Sequence, residues 1–258
     1  MFRTLEMRTE VLVMGAGSVW EDLGDRVIQR TPSEPTYWYG NRVIWRVPPV
    51  DLGRHLAAMA EAFPEAPHGV VTWDVPDMAP PDGLPDGWQL DHAQTMALEG
   101  QIAEAADPEG LALRPIETDE DWAQVVALQT ETTVPEGEPI LPAHAEFQAR
   151  RFAHRRADCA AGRSAWFGAF DGDLLVGDMG IVVGQGLARY QNVETRPSHR
   201  RRGIAAALLR HALRWARDRD PECVAVIVAD RDSAPGRLYA RAGFTVHETT
   251  VTLFKPGY

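Results

Sequence analysis

Between Leu187 and Arg217 the chain reads as an apolar strand, an arginine-rich turn, a Gly-x-Ala step and a long amphipathic helix. The strand, Leu187–Thr195, leads into Arg196-Pro197, and the turn is Arg200-Arg201-Arg202-Gly203-Ile204-Ala205. In the helix predicted over Gly203–Arg217, Ile204, Leu208, Ala212 and Trp215 form one buried face with Leu209 and Leu213 beside it. Arg210, Arg214 and Arg217 mark the opposite side. The first turn of any helix carries backbone N–H groups without partners and the positive end of the helix dipole. Gly203 and Ala205 are small enough for a diphosphate to approach the backbone, and Arg200 to Arg202 add donors and positive charge. Taken alone, the segment suits either an anion with several oxygens or a helix that starts after a solvated basic turn.

The surrounding pattern predicts an α+β (α/β) fold. The fully apolar run Cys223–Ala229 reads as a central strand covered on both faces. Strands are predicted at Leu111–Pro115, Ala165–Phe170 and Leu174–Val183, with Asp171-Gly172-Asp173 as a hairpin turn before the last. Thr118 caps a helix through about Leu128, and further helices are predicted at Ala143–Ala160 and Pro235–Ala242 before a strand at Thr245–Phe254. Proline-rich Asp74–Gly87 is not a regular element, and Ala105–Gly110 is the better domain boundary. Before it lie a strand-like Tyr37–Val47, a helix over Leu52–Phe63 and a strand at Gly69–Asp74. Two domains are therefore expected, an α/β domain over 1–105 and a second over 110–258.

Composition narrows the partners. A formal charge of −11 disfavours non-specific binding to nucleic acid or anionic membrane. Neither of the two cysteines, Cys159 and Cys223, lies in a Cys-x-x-Cys pattern, and the eight histidines show no metal-ligand spacing, so no metal is expected. The N-terminus lacks the apolar core of a signal peptide, and no apolar run approaches the roughly 20 residues that span a bilayer. A cytoplasmic protein is the expectation, with the oligomeric state open between monomer and homodimer.

Two blocks carry a family resemblance. Arg200-x-x-Gly203-x-Ala205 is similar to the Gln/Arg-x-x-Gly-x-Gly/Ala signature of the GNAT N-acetyltransferase superfamily, and it follows a strand as in that family. Asp232-Ser-Ala-Pro-Gly-Arg-Leu238-Tyr239-Ala-Arg-Ala-Gly243-Phe244 resembles its Asn-x-x-Ala-x-x-Leu-Tyr-x-x-x-Gly-Phe block. The resemblance covers roughly 110–258. It implies a mixed, mostly antiparallel sheet flanked by helices, with residues 1–105 as a degenerate GNAT-like half. No Arg-x-x-Gly-x-Ala equivalent occurs before residue 105, which suits one cofactor site per chain.

The resemblance also implies acetyl-CoA as cosubstrate. Its diphosphate would bind the backbone of Arg200, Arg201, Arg202, Gly203, Ile204, Ala205 and Ala206. Its pantetheine arm would pair with the backbone from Val193 to Thr195, where two strands splay. Asp232 replaces the family's asparagine and, being anionic, makes the weakest of these expected contacts; Pro235 replaces a common alanine. Tyr239 would protonate the departing thiolate, which a phenol of pKa near 10 is able to do. The expected reaction is direct attack of a primary amine, on a small molecule or a protein, at the thioester. A non-catalytic acyl-CoA-binding regulatory module is the alternative.

The amine must lose a proton, so a base is needed. Candidates are Glu194, Asp178, Glu131, Glu136 and Glu138, and Glu194 is chosen for its closeness in sequence to the expected thioester. Strand alternation places Tyr190, Asn192 and Glu194 on one face and Arg189, Gln191 and Val193 on the other. Gly15-Ala-Gly-Ser-Val-Trp20 lacks the third glycine of a dinucleotide fingerprint, and no βαβ unit follows it. Tyr37-Trp38-Tyr39 with Trp45 and Trp73 reads as core packing rather than a cage for a cation.

Overall fold

The structure, a computed structural model, describes residues 2–102, 106–134 and 138–257. From the N-terminus come α1 (Leu5–Met14), β1 (Val19–Asp22), β2 (Arg26–Arg30), β3 (Arg42–Trp45), α2 (Leu52–Ala62), β4 (Gly69–Trp73) and β5 (Gln89–Leu98). Next are β6 (Ala112–Pro115), α3 (Asp119–Thr132), α4 (Pro142–Ala160), β7 (Ser164–Asp171), β8 (Leu174–Gly184) and β9 (Leu187–Thr195). The chain closes with α5 (Ile204–Arg217), β10 (Val224–Asp230), α6 (Ala234–Arg241) and β11 (Thr245–Lys255).

These elements fall into two compact units that are interleaved in sequence. The first holds residues 1–96, 228–237 and 245–258, and the second 97–227 and 238–244. A single break at 105–110 would instead assign 228–237 and 245–258 to the second. The strand order is β1-β2-β3-β4-β11-β5 in the first unit and β10-β9-β8-β7-β6 in the second, β10 passing from the second unit into the first.

In the first unit β1, β2 and β3 pair antiparallel, β3 and β4 pair in parallel across α2, and β4 pairs antiparallel with β11. The core between these strands and α2 includes Trp45, Met59, Trp73, Val251 and Leu253, all nearly or fully buried. His55 lies between two of the tryptophans, stacked on Trp45 at 3.8 Å and accepting at Nδ1 from Trp73 Nε1 at 3.0 Å. Trp38 stacks near His68 and Phe254. Trp38, Trp45 and Trp73 are thus packed against other rings of the unit. The stretch expected as one strand, Tyr37–Val47, is a short 3₁₀ turn at Trp38–Gly40 followed by β3. Asn41 makes the break, its side chain donating to the carbonyls of Glu34 and Tyr37.

The second unit follows its sequence pattern closely. Thr118 and Asp121 form a capping box at the start of α3, and Arg114 holds Asp121 with two hydrogen bonds of 2.7 and 2.8 Å. Antiparallel β6, β7, β8 and β9 carry a core of Trp122, Val125, Leu128, Phe152, Trp166 and Leu175 on the side of α3 and α4. On α5, Ile204, Ala207, Leu208, Leu209, Ala212, Leu213 and Ala216 are buried, whereas Trp215 is only half-buried under Arg219. Midway along α5, Arg210 pairs with Asp107, and at the far end Arg217 donates to the carbonyls of Glu99 and Gly100. The basic side of the helix thus holds residues 99, 100 and 107.

Candidate active site

Strand β9 ends where the chemistry of this unit collects. It pairs in parallel with β10 only from Leu187 to Arg189, opposite Val224 to Val226, yet runs on to Thr195. Its antiparallel ladder with β8 continues to Thr195, with a register shift between the pairs Gly180↔Gln191 and Asp178↔Glu194. Asn192 sits in that shift at φ 49°, a bulge residue in the left-handed region. The extra residue reverses the alternation beyond it. Glu194 therefore shares a face with Gln191, and the expected grouping of Tyr190 with Glu194 is overturned. Tyr190 points to α5, where its hydroxyl donates to the Leu209 carbonyl at 2.9 Å.

After β9 the chain makes a 3₁₀ turn, Pro197–His199, and then the arginine run. Arg201 has φ 63° and Gly203, the N-cap of α5, has φ 80°, so both lie in the left-handed region. Glycine adopts that geometry without the clash a Cβ brings, and the space a Cβ would occupy at Gly203 is open. No side chain caps α5, whereas Thr4, Asp51 and Thr118 cap α1, α2 and α3. The first intrahelical bond runs from Ala207 N–H to the Gly203 carbonyl, so the N–H groups of Gly203, Ile204, Ala205 and Ala206 precede the ladder. Arg200, Arg201 and Arg202 are exposed around them. Arg200 Nε donates to the Thr195 carbonyl at 3.2 Å, and Arg202 lies 3.8 Å from Asp171.

The corresponding crossover of the first unit, β3–α2–β4, lacks these features. Its loop carries Pro48 and Pro49, and the Asp51 carboxylate accepts from Arg54 N–H at 3.3 Å. A negative charge already fills that helix start, which opposes binding of a second anion there.

Glu194 on β9 lies near enough to Tyr239 on α6 for its charge to act on the phenol. Burial pushes the Tyr239 hydroxyl up, and the nearby Glu194 charge adds to the shift, so it stays protonated at neutral pH. Tyr239 packs on Phe244, which the turn after α6 places there through Phe244 N–H donating to the Tyr239 carbonyl. Gly243 makes that reversal at φ 105°. Burial also pushes the Glu194 carboxyl up, opposed by the Thr132 hydroxyl of α3 and the charge of Arg200.

The other carboxylates differ in kind. Asp178 is fully buried and accepts from Gln129 Nε2 at 2.5 Å. Glu131 is engaged by Arg196 at 2.6 Å, and Arg196 is also tied to the Leu175 carbonyl at 2.8 Å. Glu138 is exposed, and Glu136 lies outside the described residues. Val193 and Thr195 are half-buried along the free edge of β9. Asp232 belongs to the first unit, exposed at φ 60° beside Arg231 at 3.7 Å. The sequence did not single out Gln129 or Thr132, and Asn192 had only a place in the strand alternation; an asparagine before Val193 was the one local hint of a left-handed bulge residue. Among the described residues no cluster of His, Cys, Asp and Glu could hold a metal ion, and no helix is long and apolar enough to cross a membrane.

Among the described residues each unit carries a mixed, mostly antiparallel sheet flanked by helices, with a parallel strand–loop–helix crossover, and this is the architecture of GNAT acetyltransferases. Residues 122–244 match the model of the acetyltransferase (GNAT) family, and this segment is a domain of that family. No curated protein matches the chain in sequence. Among solved structures, a functionally unknown conserved protein from Staphylococcus epidermidis has a TM-score of 0.71 at 12% identity, covering 96% of this chain and 98% of its own. A GCN5-related N-acetyltransferase from Kribbella flavida has a TM-score of 0.64 at 17% identity, covering 98% and 94%. A tandem GNAT protein from the clavulanic acid biosynthesis pathway has a TM-score of 0.58 at 15% identity, covering 93% and 83%. At these identities the likeness is one of fold, and it extends over nearly the whole chain.

Proposed function

We propose that this protein transfers an acetyl group from acetyl-CoA to a primary amine, with residues 110–258 carrying the catalytic machinery. The observation that carries this reading is the convergence at the end of β9. A strand that leaves its parallel partner runs directly into an uncapped, glycine-started helix, with the charge of Glu194 acting on Tyr239.

The N–H groups of residues 200–206 suit the CoA diphosphate, with Arg200, Arg201 and Arg202 supplying charge-assisted donors. The free edge of β9 from Val193 to Thr195 suits a pantetheine arm bonded as a strand would be. In the reaction the amine nitrogen attacks the thioester carbonyl, the carbon–sulfur bond breaks, and the pair of electrons leaves on sulfur. The Tyr239 hydroxyl protonates that thiolate, and Glu194 takes the proton from the amine. No metal takes part in this scheme, and Asp232 is assigned no diphosphate contact because its carboxylate would repel one.

The acceptor is a small-molecule or protein amine. Titration calorimetry with acetyl-CoA tests the donor site, and absence of binding at high micromolar concentration overturns it. Thiol release across an amine panel tests the activity. Binding without release on any amine would leave the non-catalytic acyl-CoA-binding reading in its place.

A further inference from the structure

Asp178 is a buried acid for which the scheme above has no use. It lies on β8 directly across the ladder from Glu194, and cross-strand neighbours on one face bring their Cβ atoms to about 4.5–5.5 Å. Its side chain is fully buried, and among the described residues no cation faces it. Gln129 of α3 holds Oδ1 at 2.5 Å, and the Trp166 indole of β7 approaches without hydrogen-bond geometry. Oδ2 has no hydrogen-bond partner.

The orientation of Gln129 is fixed from outside. Its Nε2 donates to the Asn192 main-chain carbonyl at 3.2 Å, and its Oε1 accepts from Asn192 Nδ2 at 3.3 Å. A main-chain carbonyl is only an acceptor, so the amide nitrogen must be the end that faces it. The same nitrogen faces Asp178, which makes Oδ1 an acceptor and leaves Oδ2 as the place for a proton. One glutamine thus clamps both the buried acid and the bulge that turns Glu194 to its face.

We propose that Asp178 is a positioning residue for Glu194: it holds a proton on Oδ2 beside the Glu194 carboxylate and, through Gln129, fixes the β9 bulge. Two carboxylates this close in a desolvated place cannot both be charged, so the pair retains one proton where two isolated acids would retain none. Complete burial assigns that proton to Asp178: burial pushes its carboxyl well above the ordinary range and the Glu194 charge adds to the shift, outweighing Gln129 and Trp166, which favour the charged form. Among the described residues, the charged and titratable groups facing Glu194 are Asp178 from β8, Arg200 from the loop and Tyr239 from α6, and α3 contributes the Thr132 hydroxyl. The pair separates the tasks of two acids. Glu194 is left free to ionise and accept a proton, while Asp178 stays neutral and keeps it in place.

This inference rests on Glu194 as the base, so its test reads the pair in two ways. In full-length protein labelled with ¹³C at the side-chain carboxyls of Asp and Glu, Glu194 is assigned with Glu194→Gln and Asp178 with Asp178→Asn. Glu194 is expected to titrate above the ordinary value of about 4.3 and Asp178 to stay protonated well above the ordinary carboxylate range. Asp178→Ala is expected to lower kcat/KM about tenfold or more and to move the acid limb of the pH profile, with acetyl-CoA affinity retained. Asp178→Asn, neutral and of the same shape, is expected to recover kcat/KM to within about threefold of the wild type, which also answers for any folding defect in the alanine variant. An Asp178 signal that titrates in the ordinary carboxylate range overturns the proposal, as does an asparagine variant as impaired as the alanine one. Failure of the base reading would look different: Glu194→Gln would leave kcat/KM unchanged while the carboxyl titrations stood as expected.

Discussion

Tyr239 and Glu194 arrive from different elements, and each shifts upward mainly because it is buried. For the tyrosine this preserves a proton to donate. Tyr239→Phe is therefore expected to lower turnover while acetyl-CoA affinity, measured by calorimetry, stays nearly unchanged; an equal loss of both would make Tyr239 a packing residue against Phe244. For Glu194 the sign runs the other way. A base must be ionised, so kcat/KM should rise with pH through a folded value above the ordinary carboxylate range, and Glu194→Gln should remove that limb. The same upward shifts at Asp178 and Glu194 mean that the folded chain retains protons the unfolded chain has released. Their contribution to stability is complete at low pH and is lost as pH rises through the folded values. The residues themselves were visible as candidates in the sequence. Their pairing was not, because Asp178↔Glu194 depends on a bulge at Asn192 that only the strand ladder specifies.

At the scale of elements, local rules carried far. The start of α3 could be read from Thr118-Asp-Glu-Asp, since a capping box is complete within one turn, and α5 could be read from its apolar stripe. Asp121→Ala removes the reciprocal cap and the Arg114 pair together, and is expected to cost about 1–2 kcal/mol in urea unfolding at pH 7. Arg114 and the cap hold the Asp121 carboxyl well below the ordinary range, so its stabilisation is present above about pH 4 and is lost as pH falls towards the folded value. The gap between wild type and variant should narrow accordingly in acid. Gly203→Ala forces a Cβ into the left-handed region, at a cost of about 1–2 kcal/mol. The expected readouts are a lower melting temperature and weaker acetyl-CoA binding; an unchanged affinity would place the diphosphate elsewhere. Strand β5 gave no such local signal. Its stretch Gln89–Leu98 mixes polar and apolar residues without alternation, and half-exposed residues precede a buried run.

Across the whole molecule, the grouping of elements departs from their order in the chain. β11 pairs with β4 from Val251↔Trp73 to Lys255↔Gly69, and its Val251 and Leu253 sit in the core of Trp45, Met59 and Trp73. A fragment of residues 110–258 would expose those side chains along a strand edge without its partner. It is expected to be insoluble or to unfold without a sharp transition in circular dichroism; a soluble fragment with a cooperative transition would show that these segments are separable. The sequence by itself determined what is settled within a few turns of chain: helices α2 to α6 and the Thr118 cap, the hairpin at Asp171–Asp173, and the arginine–glycine–alanine start of α5 after a strand, but not α1 with its Thr4 cap. Only the tertiary structure decided which unit β11 joins, which face Glu194 takes and which acid stands beside it. The physical reason is range. Caps and periodicity involve neighbours in sequence, whereas strand partners and bulges are chosen by contacts between distant segments, and a shift of one residue turns every side chain beyond it to the opposite face.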